Sequence, residues 1–359
     1  MKRLASTQAT ALAQPNATVR PLGPATETVS ARRSILGLAR RLKESDLLRP
    51  MIISMFRTLQ KIGINVTPNH YYWPIPDLRE LERREWRVDP NPAGMDLRLE
   101  QQLHFLNTAV RQYQAECRFA SSPGDPGWEF YYNNGWFESV DAEVAYSMVR
   151  HFKPRRIVEI GGGFSTRVLA KAVRQNDEQY GFECDLTTIE PYPDKVLKAG
   201  IPGTSHLIEK PVQEVELEQF AALGDRDILF IDSSHVVRVG SDCIYEYLDI
   251  LPRLQKGVVV HIHDIFLPSD YPRDAVLDRL CFWSEQYLLQ AFLALNRDYE
   301  VLWGSSAMQM FHADELESAI PAWRDSYSRV AEDRRRQFVP TFDRRRVWPS
   351  SFWIRRVQG

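Results

Sequence analysis

Two apolar runs end in polar clusters that could move a proton or hold a cation. Ile228, Leu229, Phe230 and Ile231 lead into Asp232, Ser233, Ser234 and His235, and Val260, His261 and Ile262 lead into His263 and Asp264. A histidine of near-neutral pKa, or a carboxylate, can take the proton of an acceptor hydroxyl within hydrogen-bond reach. His263, His235 and Asp264 are the candidates for that work. Asp232 and Asp264 could instead hold Mg²⁺ or another oxygen-seeking cation that lowers the pKa of the hydroxyl. Both chemistries stay open. His261 and His263 share a face of an alternating strand, so one is read as a packed imidazole, and His263, nearer the strand end, is preferred.

A third segment suggests what lies beside these groups. Ile157, Val158, Glu159 and Ile160 run into Gly161, Gly162 and Gly163, then Phe164, Ser165 and Thr166 open a helix. Glycines let a backbone approach a ligand, and the following helix N–H groups face the crevice where doubly wound sheets bind nucleotides. Alone, such a turn is weak, because strand-to-helix turns use glycine for steric reasons. The context is Glu190, which ends a second strand 29 positions after Gly161 and is placed to accept hydrogen bonds from ribose hydroxyls. Glu159 suits a cationic ligand better than a pyrophosphate. Its alternative is a carboxylate satisfied inside the strand end.

These residues require strands that deliver them to one edge. Apolar runs at 156–160, 186–190, 206–208, 228–232 and 258–262 alternate with helix-length stretches, which predicts βαβ units and a mostly parallel sheet, a doubly wound α/β fold. Residues 300–303 and 351–357 read as a late hairpin, and 314–346 as a partly helical excursion. Upstream, residues 1–30 lack large apolar side chains and read as a flexible tail. Residues 31–62 read as a helical pair interrupted at Pro50, the start of an N-terminal helical and extended region reaching to 130. Residues 97–119 carry a helical pattern. The main domain is expected over 131–359.

The net charge is −2, with eight Lys/Arg in residues 1–45 and nine Arg in 325–359. The basic ends, including Arg32, Arg33, Arg40, Arg41 and Lys43, could dock a partner or an anionic surface, or simply be solvated. The central region is correspondingly acidic and shows no aromatic-basic groove, so nucleic acid is not an expected partner. Four dispersed cysteines without a CxxC pair suit a reducing compartment. With no signal-type apolar segment and no run of about 18 apolar residues, a cytoplasmic location is expected.

Taken together, these motifs resemble class I S-adenosylmethionine (SAM)-dependent methyltransferases, of the methyltransferase family 24 type. The resemblance spans 137–357, from Lys153 and Pro154 through the glycine turn, the Ile189 to Pro193 segment, the Asp232 and His263 clusters, and the helix at 285–293. It implies a Rossmann-like sheet of seven strands, SAM cradled by Gly161, Gly162 and Gly163 with Ser165 and Thr166, Glu190 on the ribose, and Asp232 with Ser233 near the methionine moiety. It also implies that Asp232 and Asp264 match two metal-ligand positions of catechol-type and macrolide-type enzymes, while His263 stands where the catechol-type pattern has Asp.

The function expected is O-methylation of a polar small molecule or a sugar or glycan precursor, by a His/Asp base with or without a divalent metal. Phe130, Tyr131, Tyr132, Asn133 and Asn134 are read either as a lid with amides for a polyol or as a hydrophobic plug with a turn. Glu285 is a reserve base or ligand. The rivals are a non-catalytic SAM-fold binding subunit and an NAD(P)-binding oxidoreductase.

Overall fold

A computed structural model describes residues 49–358, apart from positions 68, 70, 126, 328–341 and 344–345. The expected N-terminal tail, the first helix of the expected pair and the arginines at 334–336 lie outside the described residues. The chain divides into two units, Met1–Pro76 and Asp77–Gly359. In the first, helix α1 spans Arg49–Gln60. Pro50, expected to part the helical pair, is the second described residue of this helix.

The second unit is built on strands β1 (Arg156–Ile160), β2 (Asp185–Ile189), β3 (His206–Ile208), β4 (Ile228–Ile231), β5 (Val259–Ile262), β6 (Tyr299–Gly304) and β7 (Phe352–Arg356). Their order in the sheet is β3-β2-β1-β4-β5-β7-β6. The first five are parallel. β7 is antiparallel to both β5 and β6, so the late hairpin is present with its second strand inserted between β5 and the first. The sheet is the Rossmann-like α/β arrangement, with a switch of strand order between β1 and β4 that opens a crevice at their carboxyl ends.

Both faces of the central strands are covered, which is why these strands read as continuous apolar runs. Alternate residues enter different cores. Ile157, Phe230 and Val259 face a layer formed by α3 (Asp141–Phe152) and α4 (Phe164–Tyr180). Val158, Leu229 and Val260 face a second layer with Tyr247, Ile250 and, from α5 (Glu285–Leu293), Leu289 and Leu293. Upstream, the expected helix at 97–119 is present as α2 (Leu99–Phe105), continued by a π turn at Leu106–Val110 and short turns to Glu116. From the excursion, Ala313–Ala319 and Pro321–Tyr327 are helical, and Trp323 is buried in the first core.

One buried cation ties this upstream helix to the sheet domain. Arg150, on α3, has no solvent exposure and donates to both carboxylate oxygens of Glu116, at 2.8 and 3.1 Å, and to Asn176 and Gln179. Removing one partner of a buried ion pair strands the other. Arg150→Leu is expected to lower unfolding free energy by about 3 kcal/mol, read from a urea unfolding curve. A loss under about 1 kcal/mol would show that the pair is dispensable.

Candidate functional site

The glycine turn is fixed by its neighbours. Gly161 has φ +83°, and a Cβ there would lie 1.8 Å from the Asp232 carbonyl oxygen. Only glycine therefore lets the ends of β1 and β4 meet, joined by the Asp232 N–H donating to the Ile160 carbonyl at 2.8 Å. A Cβ on Gly162 would meet the Thr188 methyl at 2.4 Å, while nothing lies within 4 Å of one on Gly163. The turn is tight against protein at its first two glycines and open at its third.

Glu159 lies beneath this turn, fully buried. It accepts hydrogen bonds from the hydroxyls of Ser165 (2.8 Å), Thr166 (2.7 Å) and Thr188 (2.9 Å). Burial pushes its carboxyl up to about 7, against the pull of those three hydroxyls. Thr166 also accepts from the Gly163 N–H at 2.9 Å, linking the buried acid to the open glycine. Ser165 and Thr166 are themselves buried and face this carboxylate.

Glu190 stands across the turn, just beyond β2. One oxygen accepts from the Tyr192 N–H at 2.7 Å and the other from the Gly162 N–H at 3.3 Å. A carboxylate has about four acceptor sites, so half its capacity stays available to the crevice. The open third glycine and this half-used carboxylate fit the adenosyl and ribose parts of a nucleoside-type cofactor.

The polar clusters converge beside it. His235 Nε2 is 3.5 Å from Asp232 Oδ1 and 3.6 Å from Asp264 Oδ2, while its Nδ1 is 2.9 Å from Glu285 Oε2. His263 Nδ1 is 3.4 Å from Asp232 Oδ1 and 3.9 Å from Asp264 Oδ1, with Nε2 3.6 Å from Asp141. Apart from the His235–Glu285 contact, these exceed ordinary hydrogen-bond lengths of about 2.7–3.2 Å. Asp232, Asp264 and the two imidazoles therefore ring a space without closing on one another, a set of groups that can take up and hand on a proton.

The charges are mutually supporting. Burial would lower both imidazoles, but Asp232 with Glu285 holds His235, and Asp232 with Asp264 holds His263, well above the usual histidine value. Burial would raise Asp232, but His263 and His235 hold it below the usual carboxylate range. His261 behaves differently. It stacks on Phe230 at 3.7 Å, bonds to the Ser351 hydroxyl at 2.8 Å, and is pushed down by burial and by His263. It is the packed imidazole of the pair.

Backbone geometry aims these side chains. His235 and Asp264 both occupy the left-handed region, with φ +60° and +52°, a conformation that Asp and His tolerate better than most residues. The start of α5 holds both loops. Ser284 and Glu285 N–H groups donate to the His235 carbonyl, and Gln286 accepts from the Phe266 N–H and donates to the Ser269 carbonyl, both at 2.9 Å. Asp264 also accepts from the Ser350 hydroxyl at 3.1 Å.

Ser233 faces away from this ring, donating to Glu246 at 3.1 Å. Asp141 was not singled out in the sequence. It opens α3, accepts from the Ser350 and Ser351 N–H groups at 2.9 and 3.0 Å, and backs His263. Nothing local marks it, since its partners are 209 and 210 residues away. Of the two readings of residues 130–134, lid or plug, the contacts fit the plug. Asn134 spends its side chain on the Tyr131 and Phe137 carbonyls and the Trp136 and Phe137 N–H groups, and Asn133 bonds to the Ser121 carbonyl. Phe130 is buried in the core, so the segment is a plug with a turn.

Among the described residues no helix is long and apolar enough to cross a membrane. A model described as a methyltransferase domain matches residues 158–265. An uncharacterized protein of Archaeoglobus fulgidus is 35% identical over 177 residues, covering 47% of this chain and 78% of that protein. A solved structure titled CmcI-N160 apo-structure aligns over 69% of this chain and 84% of its own at 14% identity, with a TM-score of 0.28. The matched segment holds the glycine turn, Glu190, and both polar clusters within the sheet order described above. The chain belongs to the methyltransferase-domain family, within the class I SAM-dependent methyltransferases.

Proposed function

We propose that this protein is an enzyme that moves the methyl group of SAM to a hydroxyl oxygen of a polar small molecule, with His235 as the base. The observation that carries this reading is the His235 imidazole, pinned at Nδ1 by Glu285 and presenting Nε2 between Asp232 and Asp264 beside the glycine turn. A sugar or glycan precursor stays within the acceptor class, although the Asn133 and Asn134 amides that suggested one are spent in their own turn.

Gly161, Gly162 and Gly163, with Ser165 and Thr166 beneath, would receive the cofactor. Glu190 would take the ribose hydroxyls, and Asp232 would border the methionine end, without Ser233, whose hydroxyl is turned to Glu246. Glu159 supports the turn from inside through its three hydroxyl partners. When bound, SAM supplies a methyl carbon on a sulfonium, whose C–S bond breaks as the C–O bond forms. Asp232 and Asp264 would hold Mg²⁺ or a similar cation, which would lower the pKa of an acceptor hydroxyl.

The proton leaving the hydroxyl goes to His235 Nε2, and Glu285 accepts Nδ1–H throughout, fixing the tautomer. The imidazolium so formed lies against Asp232 and Asp264, which stabilise it. His263 and Asp264 are the reserve proton acceptors, and the His263 Nε2 lies 3.6 Å from Asp141. A binding subunit that performs no transfer has no use for two imidazoles each backed by a carboxylate.

The raised His235 pKa sets the pH dependence. The neutral base forms only above the usual histidine value of about 6.5, so kcat is expected to climb with pH from 7 upward. In an acceptor screen read by release of the demethylated cofactor, His235→Gln is expected to lose about 10²–10⁴-fold in kcat. A variant within threefold of wild type, or an acid limb at or below pH 6.5, contradicts the assignment. Chelator and Mg²⁺ arms in the same screen report whether Asp232 and Asp264 act with a cation.

The turn yields a separate contrast. Gly163→Ala has room in the protein and is expected to unfold like wild type while binding SAM at least tenfold more weakly. Gly161→Ala is expected to lower stability, because its Cβ collides with backbone. Unchanged SAM affinity in Gly163→Ala, measured by titration, would show that the open side of the turn is not the cradle.

A further inference from the structure

Behind His235, on the Glu285 side of the imidazole, a second group of ligand-type side chains comes together. Cys243, Glu246 and Glu285 are all fully buried. A sulfur from the first and one carboxylate oxygen from each of the others lie within 4.8 Å of one another. Cys243 lies in the short helix Asp242–Tyr245, and Glu246 begins the π turn Glu246–Ile250 that continues it. Three positions apart, they share a face. Glu285 opens α5 opposite them.

The hydrogen bonds around this group are incomplete. Glu285 receives His235 on one oxygen and the Tyr247 hydroxyl, at 3.1 Å, on the other. Glu246 receives only the Ser233 hydroxyl on Oε2, while its Oε1 is buried with no hydrogen-bond partner. Buried carboxylate oxygens are almost always satisfied, and one that is not calls for an unplaced proton, water or ion. Two carboxylates and a thiol enclosed together are the donor chemistry of a soft-to-borderline cation, because a thiolate selects against Mg²⁺ and Ca²⁺.

We propose that Cys243, Glu246 and Glu285 form a binding site for a thiophilic divalent cation of the zinc class, separate from the Asp232 and Asp264 pair. Zn–S bonds of about 2.3 Å and Zn–O bonds of about 2.0–2.2 Å place ligand atoms roughly 3.3–3.8 Å apart around a four-coordinate ion. From separations of 4.8 Å or less, the three groups reach that spacing by closing roughly 1.5 Å at most. The Ser233 and Tyr247 hydroxyls, already bonded to the two carboxylates, border the fourth position. Binding displaces the thiol proton of Cys243 and satisfies Glu246 Oε1. The ion would also anchor Glu285, and through it the orientation of His235, as a metal-bound carboxylate fixes its partner imidazole. With all three ligands enclosed, the ion enters as the chain folds.

Cobalt(II) is the probe. Protein produced in cobalt-supplemented medium is expected to retain one Co²⁺ at this site and to show a sulfur-to-cobalt charge-transfer band in the near ultraviolet. Carboxylates and imidazoles at Asp232 and Asp264 cannot give such a band. It is expected to vanish in Cys243→Ser, to weaken or shift in the nearly isosteric Glu246→Gln, and to persist in Asp264→Asn. SAM titration and circular dichroism on the same samples separate loss of the site from loss of the fold or of cofactor binding. If Cys243→Ser does not fold, Glu246→Gln carries the test. A folded wild-type protein without the band, or a band unchanged in Cys243→Ser or in Glu246→Gln, overturns the proposal.

Discussion

The architecture of the site depends on one close approach, that of the Gly161 backbone to the carbonyl of Asp232. The two strands that carry them are hydrogen-bonded neighbours across the switch in strand order, and at their carboxyl ends no side-chain carbon fits between them. This contact sets the glycine turn and the Asp232 side chain at a fixed separation. Every other group in the site is placed relative to one of these two. Thr166 and Glu159 support the turn, and His235 and His263 converge on the carboxylate.

A second constraint comes from α5. Its first residues reach both the loop after β4 and the loop after β5, through Glu285 to His235 and through Gln286 to Phe266 and Ser269. Two loops that each hold a left-handed, non-glycine residue are thereby locked to one helix terminus. Such conformations persist when the surroundings over-determine them. Site precision here comes from a rigid element bridging two loops, and the buried Glu285 at that terminus is part of the scaffold as well as of the electrostatics.

Much of this was legible in the chain. Apolar runs bounded by glycine or acid located β1, β2, β4 and β5, because strands buried on both faces carry a continuous signal, whereas the edge strand β3 is short and part-exposed. Glu190 and Asp232 stood out as acids directly after such runs. Less visible was anything made by long-range contact. Asp141 and Ser350 meet across more than half the chain, and neither has a local motif. The order of β7 between β5 and β6 is likewise a pairing choice that hydropathy does not encode. Glu159 and the Asn133–Asn134 pair show the opposite limit. Their residue types suggested ligand contact, but the hydroxyls and carbonyls that satisfy them became visible only in three dimensions.

The measurement that tests the account most directly is calorimetric titration of the folded protein with SAM and with its demethylated product, comparing wild type with Glu190→Ala. The account predicts micromolar binding of both ligands by wild type and at least a tenfold loss in the variant, whose turn retains every glycine. A folded wild-type protein that binds neither ligand, or a Glu190→Ala variant that binds as tightly as wild type, would contradict the placement of the cofactor in this crevice.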